Sequence, residues 1–205
     1  MANKQGYLSP LSTRYASRDM QYIFSEEFKF RTWRKFWIAL AKAEQALGLD
    51  ITDEQIAELE AHADDINFEV AEAREREVRH DVMSHVYAYG VQCPTAKPII
   101  HLGATSCYVG DNTDVVMLRE ASRIVLAKAA RVLANLAKFA DEYKSMPCLA
   151  YTHLQPAQLT TVNYDLLNLV HLQDDKVVKI CRKTSKSHAA ADFRHCENLS
   201  VSSGQ

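Results

Sequence analysis

Glycine and proline are scarce, at six and five in 205 residues, and neither occurs between Pro156 and Gly204. Long stretches without chain breakers favour helix. The five cysteines (Cys93, Cys107, Cys148, Cys181, Cys196) form no C-x-x-C pair, so the clustered ligands of a zinc site are missing. An odd, dispersed set of thiols, with no apolar leader after Met1, points to reduced cysteines in the cytoplasm. No apolar run approaches the roughly 20 residues that cross a bilayer. Charge of one sign is also lacking: the formal net charge is -2 and the pI about 6.4. That leaves no basic footprint for nucleic acid, and clusters such as Arg74-Glu75-Arg76 read as solvated helix surface. The expectation is a soluble cytoplasmic protein without metal, cofactor, nucleic-acid or membrane partner.

What is present is helix periodicity. At 47% hydrophobic, the chain can build one good-sized domain, or a small one plus part of another. Ser25 before Glu26 and Glu27 reads as an N-cap with an acidic first turn. Trp33, Phe36, Trp37, Leu40 and Leu47 follow on one face, and Gly48 supplies a stop. Thr52 and Gln55 have the spacing of a capping box, opening a helix that buries Ile56 and Leu59. A segment from about Asn67 to Tyr89 reads as one helix, with Val78, Val82, His85 or Val86, and Tyr89 on one side and His80 pointing elsewhere. The longest helix is expected from Asp111-Asn112 to about Tyr143. There Val115, Ser122, Ala129, Leu136 and Tyr143 repeat every seven residues, and Leu118, Val125, Val132 and Phe139 form a second row. Such rows need partner helices, and the helix would be about 45 Å long.

Three polar segments could carry chemistry. In Arg79-His80-Asp81 an imidazole lies between a cation and a carboxylate, as in a tuned acid or base; a charged helix surface is the plain alternative. The run from His101 to Asn112 (HLGATSCYVGDN) places Gly103, Thr105 and Ser106 just ahead of the long helix, as in an anion cradle. Turn formation and helix capping by Asp111 or Asn112 would account for the same composition. In Tyr151-Thr152-His153-Leu154-Gln155-Pro156-Ala157-Gln158, proline suits the first turn of a further helix. Thr152 and His153 would then sit in the connection before it, free to reach a cleft or simply solvated.

Taken in order and spacing, these segments resemble the fumarase/aspartase superfamily: Gly103-Ala-Thr-Ser106, Asp111-Asn112, then Thr152-His153-x-Gln155-Pro156-Ala157-Gln158. The neighbouring runs Ser12-Thr-Arg14-Tyr15-Ala16-Ser17, Lys29-Phe-Arg-Thr-Trp-Arg34, Arg79-His-Asp-Val-Met83 and His101 to Asp114 are similar to the adenylosuccinate lyase branch. The resemblance spans about Tyr7 to Val162. It implies an all-α fold, with a small helical N-terminal domain (1–110), a partial central bundle of long helices (111–182) and a divergent polar tail (183–205) expected to be disordered.

The resemblance also implies β-elimination of fumarate from adenylosuccinate and from the succinylated carboxamide ribotide SAICAR, without cofactor, by a homotetramer. On that analogy His153 is the general acid. Thr105 and Ser106 hold a substrate carboxylate, and Arg14 and Tyr15 grip the nucleotide phosphate. Arg79, His80 and Asp81 line the pocket, and Thr152 and Gln158 lie beside His153. Arg14-Tyr15 and Arg79-His80-Asp81 favour a nucleotide substrate over that of argininosuccinate lyase. The family's general base, a serine in a Ser-Ser-x-Met-Pro-x-Lys-x-Asn-Pro run, has no counterpart in the 205 residues. The resemblance is expected to end at Asn163, leaving a chain inactive by itself or one that only associates with full-length subunits.

Overall fold

The computed structural model describes residues 9–162. They divide into two compact units, with the boundary between Leu118 and Arg119. The amphipathic helix expected around Leu166 to Ile180 and the polar tail from Lys183 lie outside the described residues.

In the first unit, a π-helical turn at Leu11–Tyr15 precedes α1 (Arg18–Ile23). Helix α2 (Glu26–Ala46) starts where the sequence places it: the Phe28 amide donates to Ser25 Oγ at 3.2 Å. It stops at Gly48, whose φ of 91° lies in the region where glycine is unpenalised. Leu47 is the C-cap and is 82% exposed, so the expected apolar face ends one turn earlier than its periodicity suggested.

Helix α3 (Asp53–Ala61) opens on the full capping box: the Gln55 amide donates to Thr52 Oγ1 at 3.2 Å, and the Thr52 amide to Gln55 Oε1 at 3.0 Å. Trp33 and Trp37 from α2 pack with Ile56 and Leu59 in the core of this unit.

The stretch expected as one helix from Asn67 to Tyr89 is two. Helix α4 (Phe68–Val78) ends at Arg79, in the left-handed region at φ 55° and ψ 39°. Helix α5 (Asp81–Gln92) begins with His80 as its N-cap. Hydrophobic spacing carries across the break, which is why periodicity alone misses it. The cost shows at Val78, which is 37% exposed, whereas Val82, His85 and Tyr89 are buried.

Arg34 ties this unit together. It is 2% exposed, and its guanidinium donates to the carbonyls of His62 and Asp65 and to Gln92 Oε1, stacking 4.3 Å from the Tyr89 ring centroid. The His62 carbonyl thereby gains a charged donor, and the Asp65 carbonyl, which also accepts from Gln92 Nε2 at 2.8 Å, gains a second one. After a 3-10 turn at Lys97–Ile99, a loop leads into α6 (Ser106–Glu142).

Helix α6 starts five residues before the expected Asp111. Asn112 is therefore inside it, donating to the Tyr108 carbonyl at 2.7 Å rather than capping. At 37 residues it is about 55 Å long.

The second unit holds most of α6 and a hairpin. Its outer heptad row is open: Val125, Val132 and Phe139 are 44–53% exposed. Strands β1 (Pro147–Thr152) and β2 (Gln155–Thr161) pair antiparallel, from Pro147 opposite Thr161 to Thr152 opposite Gln155. A helix starting at Pro156 is thus replaced by a strand. Proline lacks an N–H and is as acceptable on the edge of a two-stranded ribbon as in a first helical turn, and the β-branched run Thr160-Thr161-Val162 favours the extended state. The described residues are mainly helical, and this ribbon is their one departure from an all-α reading.

Candidate functional site

The histidine read as part of a helix surface is a junction residue. Breaking the chain at Arg79 lets His80 turn back over α5, where its Nδ1 accepts from the Met83 amide at 3.3 Å. A ring nitrogen that accepts carries no proton, so in the neutral imidazole the proton is on Nε2. That atom lies 3.2 Å from Ser106 Oγ, at the first residue of α6. The hydrogen bond therefore runs from His80 Nε2–H to the serine oxygen and leaves the hydroxyl hydrogen free to donate outward. His80 in this tautomer cannot act as a base towards Ser106, so the pair is not a nucleophilic Ser–His dyad.

Asp81 follows directly, with Oδ1 3.8 Å from His80 Nδ1 and accepting from the Val82 amide at 2.7 Å. Thr105, just ahead of α6, uses its carbonyl to accept from the Tyr108 amide at 2.9 Å. The first N–H groups of such a helix have no partner within it, and its dipole adds positive potential at this end. The Ser106 hydroxyl, oriented by His80, and the helix N-terminus can together hold an anionic oxygen.

Underneath lies a support that composition alone did not single out. His101 sits at φ 65° and Gly103 at φ 62°, bending the loop so that His101 Nδ1 accepts from Trp37 Nε1 at 3.0 Å. Burial, and to a smaller degree the neighbouring His80, hold the His101 imidazole below its ordinary range. Glu44, also on α2, lies below the same loop: a Cβ added at Gly103 would come within 3.8 Å of its Oε1. Burial raises the Glu44 carboxyl above its usual range. His101 belongs to a segment that the sequence marks as polar and loop-forming, but the contact with Trp37 spans 64 residues and leaves no local signal.

Arg14 and Tyr15 are in the exposed π turn, joined to each other by a cation–π contact at 5.7 Å. No hydrogen bond, ion pair or ring contact among the described residues links them to His80 or Ser106. Arg79 donates its amide to the Glu75 carbonyl at 2.8 Å as the α4 cap.

Thr152, His153 and Gln158 belong to the second unit, all exposed on the hairpin. His153 and Leu154 form its two-residue turn, with φ of 49° and 65°, the positive pair that a type I′ turn requires. Histidine visits this region more readily than most residues; leucine does not, and Leu154 is 93% exposed. His153 thus projects from a tight turn. No group of three or more potential metal ligands occurs among the described residues.

No protein-family model matches the chain. Individual relatives do: adenylosuccinate lyase from Schistosoma mansoni is 54% identical over 156 residues, 76% of this chain and 32% of that enzyme. The enzyme from Saccharomyces cerevisiae is 44% identical over 204 residues, 93% of this chain and 42% of the relative. That from Schizosaccharomyces pombe is 44% identical, covering 85% and 39% respectively. The matched stretch belongs to the adenylosuccinate lyase family.

The chain spans about a third to two-fifths of the length of these adenylosuccinate lyases. One expectation needs correcting. A match over 93% of 205 residues cannot fit between Tyr7 and Val162, so similarity to the yeast adenylosuccinate lyase continues past Asn163. Solved structures show the fold. A 3-carboxy-cis,cis-muconate lactonizing enzyme from Pseudomonas putida superposes with a TM-score of 0.74 at 24% identity, covering 84% of this chain and 40% of its own. A fumarate lyase from Mesorhizobium sp. BNC1 gives 0.73 at 22% identity, covering 82% and 40%. The mainly helical fold is the one these enzymes share. No described helix is long and apolar enough to cross a membrane.

Proposed function

We propose that this chain contributes to adenylosuccinate cleavage, the β-elimination that releases fumarate and AMP, and to the parallel cleavage of SAICAR into AICAR and fumarate. The observation that carries the reading is 54% identity to an adenylosuccinate lyase over 156 residues, 76% of this chain. In this elimination a base removes the proton from the carbon next to a carboxylate. The electron pair forms the new C=C bond, the C–N bond breaks, and the departing nitrogen takes a proton from an acid. Negative charge collects on the carboxylate as the first proton leaves, so fixed donors there lower the barrier.

His153 is the acid in this scheme, since an imidazole can hold and release a proton near neutral pH. Ser106 and Thr105 receive the carboxylate, with His80 orienting the Ser106 hydroxyl. Arg14 and Tyr15 serve the phosphate, for which a planar guanidinium offers two parallel bonds. Arg79, Asp81, Thr152 and Gln158 border the substrate. The base comes from outside these 205 residues, in which no Ser-Ser-x-Met-Pro run occurs, so the chain assayed alone gives no turnover. A cytoplasmic homotetramer is the assembly proposed, because the row Leu118, Val125, Val132 and Phe139 is exposed and helical rows of this kind seek partner helices. The same open row supports a second reading, in which the chain is a non-catalytic subunit that binds full-length lyase.

The test is a chimera in which residues 9–162 replace the matching stretch of the yeast adenylosuccinate lyase. Cleavage of adenylosuccinate, followed by ultraviolet absorbance and abolished by His153→Ala, is the expected result. A folded tetrameric chimera that cleaves nothing overturns the catalytic reading and leaves the binding one.

A further inference from the structure

Trp37 is 1% exposed in the middle of the first unit's core. A phenylalanine would fill most of that space, so the indole N–H needs a separate explanation. The neighbouring Trp33 shows that this core does not satisfy every indole, because its Nε1 is buried with no partner. Trp37 Nε1, by contrast, is aimed at a ring nitrogen, His101 Nδ1, at 3.0 Å, with the two rings edge to face at 6.1 Å. The loop adopts a left-handed conformation at His101 itself to make that contact, a conformation that costs a non-glycine residue roughly 1 kcal/mol or more. Strain of this kind persists only where surrounding contacts over-determine it.

From this geometry we infer that Trp37 is a positioning residue for the substrate cluster, holding His101 in the tautomer that carries its proton on Nε2. His80 is set the same way by the Met83 amide. The cluster therefore displays two imidazoles of matched polarity, one N–H given to Ser106 and the other, on His101, without an acceptor among the described residues. A donor there suits an anionic oxygen; the opposite tautomer would present a lone pair and repel it. The titratable groups that face this pair are His80, at the start of α5, Tyr89 on α5, whose ring lies 6.0 Å from that of Trp37, and Glu44, on α2 beneath Gly103. The inference rests on the proposed reading only in calling the cluster a substrate site; the tautomer itself can be measured without turnover.

The experiment is nitrogen-15 NMR on the purified chain with labelled histidine and tryptophan, His101 being assigned with His101→Gln. The expected wild-type spectrum has an unprotonated Nδ1 and a protonated Nε2 at His101. In Trp37→Phe that preference weakens by about five- to tenfold, the size of one ordinary hydrogen bond, and His101 titrates at higher pH because the neutral ring has lost its donor. A wild-type His101 protonated on Nδ1, or an unchanged tautomer in Trp37→Phe, overturns the inference. Should that variant fail to fold, the wild type still decides. The Trp37 indole proton must shift along the titration curve of His101, and an insensitive indole proton refutes the contact. Added AMP and fumarate separate the two ideas: a fixed tautomer with no response of His80 or His101 to either upholds Trp37's role and removes the substrate reading.

Discussion

His85 makes the folded state sensitive to mild acid. Its ring is buried, stacked on Phe30 at 3.7 Å and set edge-on to Trp33 at 5.6 Å. Burial first, and then the nearby Arg34 and to a smaller extent Lys29, bring its pKa down to about 4 from the ordinary 6.5, against a partial opposing effect of Asp81. The unfolded chain takes up this proton near pH 6.5, whereas the folded chain resists it until about pH 4. The stability contribution is therefore intact above pH 6.5, falls as pH drops from 6.5 to 4, and is flat below. At about 1.36 kcal/mol per pKa unit, the full loss is about 3 kcal/mol, a large share of the 5–15 kcal/mol typical of a domain.

The perturbation is His85→Phe, which keeps an aromatic ring in the stack and removes the titration. Urea unfolding followed by tryptophan fluorescence suits the assay, because the chain's two tryptophans, Trp33 and Trp37, both lie in this core. Between pH 7 and pH 4.5 the wild type should lose about 2–3 kcal/mol relative to the variant. A stability difference that stays constant with pH, or a His85 resonance titrating near 6.5, refutes the reasoning.

Replacing Arg34 with leucine removes its bonds to the His62 and Asp65 carbonyls and to Gln92 Oε1, leaving the His62 carbonyl without that donor, and should cost about 3 kcal/mol, read as a lower urea midpoint; lysine, without the planar fork, should recover only part. Thr52→Ala removes one half of the capping box of α3 and should cost about 1 kcal/mol by the same measurement. Aspartate at both Val125 and Val132 should lower the self-association seen in analytical ultracentrifugation, whereas an unchanged mass would show that this row is not an interface. His153→Ala in the chimera should lower turnover by about a hundredfold or more while leaving thermal stability near that of the parent, as expected for an exposed turn residue.

What the sequence determined by itself is what can be decided within one turn of chain. The Ser25 cap, the Thr52–Gln55 box and the stop at Gly48 each rest on hydrogen bonds or backbone angles set by residues three or four apart, and each stands where the sequence puts it. The long helix declared itself because its heptad rows run over four repeats, although its start at Ser106 was hidden by the polar residues that also make a good loop. Family membership was legible for a related reason: many short local matches in a fixed order are jointly specific.

Tertiary structure decided the rest. Hydrophobic spacing runs unbroken through Arg79-His80, so only the packing of α4 against α5 shows that the chain turns there and makes His80 a cap. Pro156 is compatible with a helix start and with a ribbon edge, and pairing with β1 selects the ribbon. The bonds from His80 to Ser106 and from Trp37 to His101 join residues 26 and 64 positions apart. No residue pattern encodes such a distance, because a side chain's partner across the core is chosen by how the helices pack and not by its neighbours in the chain.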